Sequence, residues 1–207
     1  MEALVTEKLK PLIYGAVSPY QLGGIRKSRP AEHLYLVKMI VGLYREEKMP
    51  LWISTFDMSK FFDIQRWDDS TVSLIKHGVQ GPLLRLYEAI TKRNKLQILT
   101  PVGPTNWFHL AHLTPQGSSY GALVSALNLD TSLSVSMAVM RDFLSSFAQI
   151  EMRSIIFQDD ICKASSSRME CQVAQEIIAE TVASKQLVLN SETVSYTHLT
   201  LPTILRV

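Results

Sequence analysis

Two apolar runs that each end on acidic residues constrain this chain more than any other feature. Residues Leu51 to Phe56 read as a short buried strand with Asp57 at its end. Residues Met152 to Ser165 read as strand, turn and strand, with Gln158, Asp159 and Asp160 at the turn. A carboxylate at a strand end is fixed by the ladder rather than by a loop, so both acidic sites sit on rigid edges. The segments between the runs carry helical periodicity. The expected class is therefore α/β (α+β), a small antiparallel sheet backed by helices on one side. With 207 residues and 46% hydrophobic side chains, the chain can bury a sizeable core as one large domain or two small ones.

Local signals bound the helices. From Ala31 to Lys48, Leu34, Val37, Ile40, Val41 and Tyr44 recur at helical spacing, and Pro50 closes the run. A second helix covers Asp68 to Lys76 and stops at Gly78. A third opens at Pro82 and runs to about Lys92. Lys95 to Val102 alternates like a strand, with Trp107 to Leu113 as its antiparallel partner. Ser118 to about Phe147 reads as a long buried helix, and Arg168 to Leu187 as an amphipathic one. Leu187 to Asn190 starts another strand. The first ~30 residues carry turn punctuation, Ser18-Pro19 and Gly23-Gly24, and then the basic cluster Arg26, Lys27 and Arg29.

Charge and cysteine usage exclude several function classes. Lys+Arg 21 against Asp+Glu 19 leaves a net charge of +2, which rules out a histone-like binder but not a local basic groove. The charged fraction of 19% excludes a disordered or supercharged segment. Cys162 and Cys171 cannot build a disulfide framework, so free thiols, a reducing intracellular compartment (cytoplasm or nucleus) and no disulfide-linked partner are expected. The N-terminus lacks a signal-peptide pattern. The stretch from Leu96 to Met140 has Asp130 as its one charge but is broken by Pro and Gly, so it reads as core rather than membrane span.

The C-terminus departs from the rest. Residues Val194 to Thr203 correspond to an in-frame reading of a transposase-type sequencing adapter, GTC-TCT-TAT-ACA-CAT-CTG-ACG-CTG-CCG-ACG. The expectation is that residues 193–207 are a non-native tail outside the fold, with natural sequence ending near Glu192. The other reading is a genuine Thr-rich strand.

The chemistry lies in the acidic residues. A strand-end Asp and a hairpin-turn Asp can lie side by side on neighbouring strands. Carboxylates that close repel one another unless a cation lies between them. Mg²⁺ suits hard oxygen ligands and keeps waters and substrate phosphates in its shell. Two such ions would clamp the attacking and leaving oxygens of a phosphoryl transfer.

The ordered set of motifs around these residues resembles the reverse transcriptases, in particular those of non-LTR retrotransposons. Residues 51–63, LWISTFDMSKFFD, resemble the first palm motif, and residues 113–128, LTPQGSSYGALVSALN, the Gln-Gly motif before the long palm helix. Residues 155–161, IIFQDDI, resemble the aromatic-x-Asp-Asp hairpin, and residues 187–190, LVLN, the start of the next motif. Residues 21–36, QLGGIRKSRPAEHLYL, resemble the fingers segment before the first palm motif.

The resemblance implies a right-hand palm with partial fingers: residues 1–50 as fingers, and 51–192 as palm with a fingers insertion around 64–112. It implies an RNA-directed DNA polymerase using two Mg²⁺ or Mn²⁺ ions, with an RNA template, a DNA primer and dNTPs as partners and no membrane. Asp57, Asp159 and Asp160 would be catalytic and metal-binding, and the Met58 carbonyl a further ligand. Phe62 would be a steric gate against the ribose 2′-OH. Gln116 and Gly117 would shape the nucleotide pocket, and Arg26, Lys27 and Arg29 would hold the triphosphate. The primer 3′-hydroxyl would attack the α-phosphate and release pyrophosphate.

Some positions depart from the family pattern. Gln158 stands where many members carry Ala or Met. The Lys expected after Asn190 is absent, as are the primer grip and thumb, so weak or no activity is expected of this chain alone. Two other readings stay open: an RNA-dependent RNA polymerase palm, and a dead remnant that only binds nucleic acid.

Overall fold

The structure is a computed structural model that describes residues 1–24, 29–93, 95–109, 117–144, 154–190 and 195–199. Two helices lead, α1 (Glu2–Ala16) and α2 (Pro30–Glu46), followed by strand β1 (Leu51–Phe56). Three helices follow, α3 (Phe61–Ile64), α4 (Trp67–Lys76) and α5 (Gly81–Lys92). Four two-residue strands come next: β2 (Lys95–Leu96), β3 (Leu99–Thr100), β4 (Gly103–Pro104) and β5 (Phe108–His109). The chain continues with α6 (Gly121–Leu144), β6 (Ser154–Phe157), β7 (Asp160–Ser165), α7 (Arg168–Ser184) and β8 (Ser195–Leu199).

Local chemistry accounts for most of the ends. At α2, Pro30 opens the helix, the Glu32 N–H donates to the Arg29 carbonyl, and the Arg29 N–H donates to Glu32 Oε2. Helix α4 stops at Gly78, whose φ of 83° favours glycine. Helix α7 is capped by Ser167, whose hydroxyl accepts from the Glu170 N–H at 3.1 Å.

The main sheet has the order β6-β7-β1-β8, and all of its pairings are antiparallel. Alternation along the strands feeds two cores. Phe56, Ile156 and Ile161 point to one face and pack with Leu129 and Leu133 of α6 and Ala174, Ile178 and Val182 of α7. Leu51, Ile155 and Ala164 point to the other face and pack with Ile40 and Tyr44 of α2. The sheet is thus covered on both faces, not one as expected. The reason is that Ile155 and Ile156 are both buried, so both faces of β6 need an apolar partner. A third core joins Val5, Leu9 and Ile13 of α1 to Leu74, Tyr87, Leu123 and Leu127.

Four further expectations are corrected. The span Lys95 to Val102 is not one strand. Pro101 and Val102 form the turn between β3 and β4, where proline's missing N–H costs no ladder bond. Of the partner Trp107 to Leu113, only Phe108–His109 pairs, with Lys95–Leu96, and residues 110–113 lie outside the described residues. Leu187 to Asn190 forms one bridge, Leu189 to Met58, rather than a full strand. Finally, Ser195–Leu199 is part of the fold. It pairs with β1 from Leu51↔Leu199 to Thr55↔Ser195. The outer edge of β1 offers unpaired N–H and C=O groups, and a stretch rich in β-formers satisfies them.

The opposite edge of the sheet is also covered. The Ile156 N–H donates to the Tyr20 carbonyl and the Leu22 N–H to the Ile156 carbonyl, both at 2.8 Å. Residues 20–22 thereby lie parallel to β6. Among the described residues no helix is long and apolar enough to cross a membrane.

Candidate active site

The ladder between β1 and β7 pairs Phe56 with Ile161. Carried one residue further, the same register sets Asp57 beside Asp160. Gln158 and Asp159 alone connect the paired Phe157 and Asp160. Such a two-residue connection needs left-handed backbone, and Gln158 supplies it with φ 55°. The structure therefore brings the three sequence-predicted acidic residues to one end of the sheet. The pairing that does so joins segments a hundred residues apart.

Asp57 is half-buried and held at both ends of its residue. The Asn190 side-chain amide donates to Asp57 Oδ2 at 3.2 Å, and the Asn190 N–H donates to the Asp57 carbonyl at 2.9 Å. Asp159 is half-buried as well. Burial raises its pKa above the ordinary carboxylate value, a backbone hydrogen bond within the residue lowers it, and the charges of Asp160 and Asp57 raise it further. Asp160 is exposed, yet residual desolvation and the Asp57 charge raise its pKa too, with His33 opposing. The charge of Asp57 thus reaches both Asp159 and Asp160, and that of Asp160 reaches Asp159.

Carboxylate oxygens are hard donors, the kind that hard divalent cations take. Among the described residues, no three His, Cys, Asp or Glu side chains gather closely enough to hold a metal ion by themselves. An open acidic edge suits Mg²⁺, which binds through one or two carboxylates and keeps water and phosphate ligands. The Met58 side chain is buried in the core between sheet and α7, so its backbone carbonyl is the group left for a ligand role.

The remaining predicted residues divide. Phe62 sits on α3, partly buried, with its ring edge-on to Phe61 at 5.3 Å. Arg29 is exposed at the N-terminus of α2. Gly117 takes φ 84°, which favours glycine, and an added Cβ would meet nothing within 4 Å. The left-handed backbone by itself favours glycine there. Arg26, Lys27 and Gln116 lie outside the described residues.

Two residues near the site carry roles that motif reading missed. Asn190 is the amide on Asp57, and its one signal is its place as the last residue of LVLN. His33 of α2 lies edge-on to Phe157 at 4.6 Å. Burial lowers its pKa, while a hydrogen bond to the Ile156 backbone and the charge of Asp160 raise it. Helical spacing placed His33 on α2 but could not say which face met the hairpin.

No family profile and no curated protein matches this sequence. Solved structures do. Apo telomerase from Candida tropicalis, truncated from its C-terminal domain, superposes with a TM-score of 0.72 at 12% identity over 97% of this chain. Telomerase from Candida albicans in complex with a TWJ fragment of telomeric RNA gives 0.67 at 10% identity over 96%. The chain spans 41% and 34% of those two proteins. At such identities the likeness is one of fold alone: the chain shares the fold of the matching part of those telomerase structures.

The raised carboxylates have a consequence for stability. A carboxyl whose pKa is higher in the folded chain binds protons more tightly there, so its contribution to stability is lost as pH rises through the folded value. Without divalent metal at neutral pH, the charged acidic edge destabilises the fold. Asp159→Asn should therefore raise Tm by about 1–2 °C in chelator at pH 7, after allowance for solvent screening, and the gain should vanish below about pH 4. Differential scanning fluorimetry of both chains across pH checks this. A Tm below wild type at pH 7 would contradict it.

Proposed function

We propose that this chain is the fingers and palm part of an RNA-directed DNA polymerase of the non-LTR retrotransposon type. The observation that carries the reading is the β1–β7 register, which aligns Asp57 with the Asp159–Asp160 turn. Residues 1–50 serve as fingers and residues 51–192 as palm, with a fingers insertion around 64–112. Asp57, Asp159, Asp160 and the Met58 carbonyl hold two Mg²⁺ or Mn²⁺ ions. When bound, the ions supply positive charge to the attacking and leaving oxygens.

The chain's own residues supply position. Arg26, Lys27 and Arg29 neutralise the triphosphate of the incoming dNTP, and Gln116 and Gly117 border its base and sugar. The primer 3′-oxygen bonds to the α-phosphorus and loses its proton to solvent. The bond from that phosphorus to the oxygen bridging to the β-phosphate breaks, and pyrophosphate leaves. RNA template and DNA primer lie along the acidic edge. The two free thiols fit a reducing intracellular compartment.

Phe62 is the gate against the 2′-hydroxyl, supported by its place five residues past Asp57 and its partial exposure. An aromatic ring there favours DNA over RNA synthesis and weighs against the RNA polymerase reading. Residues 194–203 are adapter-derived. The codon correspondence supports this, and the pairing of 195–199 with β1 is what a β-forming stretch does beside an open edge.

Three measurements test these statements. Mn²⁺ titration followed by electron paramagnetic resonance should show binding to the wild-type chain that weakens at least about tenfold in Asp159→Asn, as loss of a charged ligand requires. Equal affinities would sink the metal site and favour a dead remnant. In primer extension on an RNA template, Phe62→Ala should raise ribonucleotide incorporation by about tenfold or more. Unchanged discrimination would remove the gate. Genomic sequence across the Glu192 codon decides the tail: native codons for residues 194–203 would overturn the adapter origin.

A further inference from the structure

We propose that Gln21 is a positioning residue for Asp159, and that the strap of residues 20–24 locks the acidic turn in place. The inference rests on reading that turn as a polymerase metal site. Gln21 lies 1% exposed beside the hairpin. Its Oε1 accepts two backbone donors, the Gln158 N–H at 3.1 Å and the Gly23 N–H at 3.0 Å. One side-chain carbonyl thus joins the strap to the residue before Asp159. Both partners are N–H groups, so the oxygen and not the amide nitrogen must face them.

The fit leaves no slack on the strap side. A Cβ on Gly23 would lie 2.1 Å from the Gln158 nitrogen and 2.7 Å from the Phe157 carbonyl carbon. Gly24, with φ 72°, passes close to the Ala122 carbonyl at the start of α6. The strap is therefore wedged between the hairpin and α6, and it is anchored on β6 by the two backbone bonds from Tyr20 and Leu22. Gln158 needs this support, because a non-glycine residue at φ 55° persists only where its surroundings impose it.

Packing alone does not explain Gln21. Its Nε2 is buried with no hydrogen-bond partner among the described residues, so the side chain carries a desolvation cost that an apolar residue of the same length would avoid. What the glutamine offers in return is the acceptor that fixes the turn. The same strap leads directly into residues 25–29, which contain Arg26, Lys27 and Arg29.

Amide exchange by NMR and Mn²⁺ affinity, both on the full 207-residue chain, test the proposal. Gln21→Met keeps the length and removes the acceptor. It should speed exchange at the Gln158 amide about tenfold and weaken Mn²⁺ several-fold, with amides in the middle of α7 unchanged. Gln21→Glu retains an acceptor oxygen and should restore protection of the Gln158 amide. Unchanged exchange in Gln21→Met, or an equal rise throughout α7, overturns the positioning role. If Gln21→Met does not fold, the wild type decides: a Gln158 amide that exchanges as fast as an exposed turn overturns the clamp. A wild-type chain that binds no Mn²⁺ overturns the metal reading instead, and exchange at Gln158 still settles the clamp.

Discussion

The register between β1 and β7 is the constraint on which the rest of this structure depends. From Trp52↔Ser165 to Phe56↔Ile161, each pair fixes which side chains share a face. A slip by one residue would turn Phe56 away from α7 and Leu51 away from α2. Both faces of the sheet are buried, so either slip would expose one core to water and bury polar groups in the other. At roughly 1.5–3 kcal/mol for each large side chain displaced, the penalty is several-fold larger than any single ladder bond. The position of Asp57 beside Asp160 is a by-product of that packing.

Placing three carboxylates at one sheet end works against stability. Desolvation and mutual repulsion raise the pKa of Asp159 and of Asp160. The fold offsets this with ordinary interactions nearby. Asn190 bonds Asp57, and the Ser59 N–H donates to the Val188 carbonyl at 2.8 Å, tying the segment after α7 to the loop after β1. Behind them, Met58 and Phe61 are each 2% exposed in the core against α7. The acidic edge is thus backed by the core, with Asp57 and Asp159 half-buried and Asp160 exposed.

Much of the helical framework was legible because its signals are local. Pro30 and the Arg29–Glu32 cap start α2, Gly78 stops α4, Pro82 lies in the first turn of α5, and Ser167 caps α7. Helix α1 is not signalled by the turn punctuation at Ser18-Pro19 and Gly23-Gly24, although Val5, Leu9 and Ile13 follow helical spacing. The stretch Lys95 to Val102 misled in the opposite way. Its alternation resembles a strand, but Pro101 imposes a turn, and Leu99 and Val102 are 83% and 99% exposed. Alternation signals a strand only where one face has something to pack against.

The sequence by itself determined where the acidic residues stand and which elements hold them: two apolar runs ending on Asp57 and on Asp159–Asp160, with punctuated helices between. These features act through backbone sterics and burial within a few residues, so they can be read along the chain. Tertiary structure alone decided who meets whom. Asn190 reaches Asp57 across 133 residues, and Gln21 reaches Gln158 across 137. No local rule links such positions. Their meeting follows from the register that buries both faces of the sheet and from the strap that closes its edge, and those are chosen by the sum of all the packing at once.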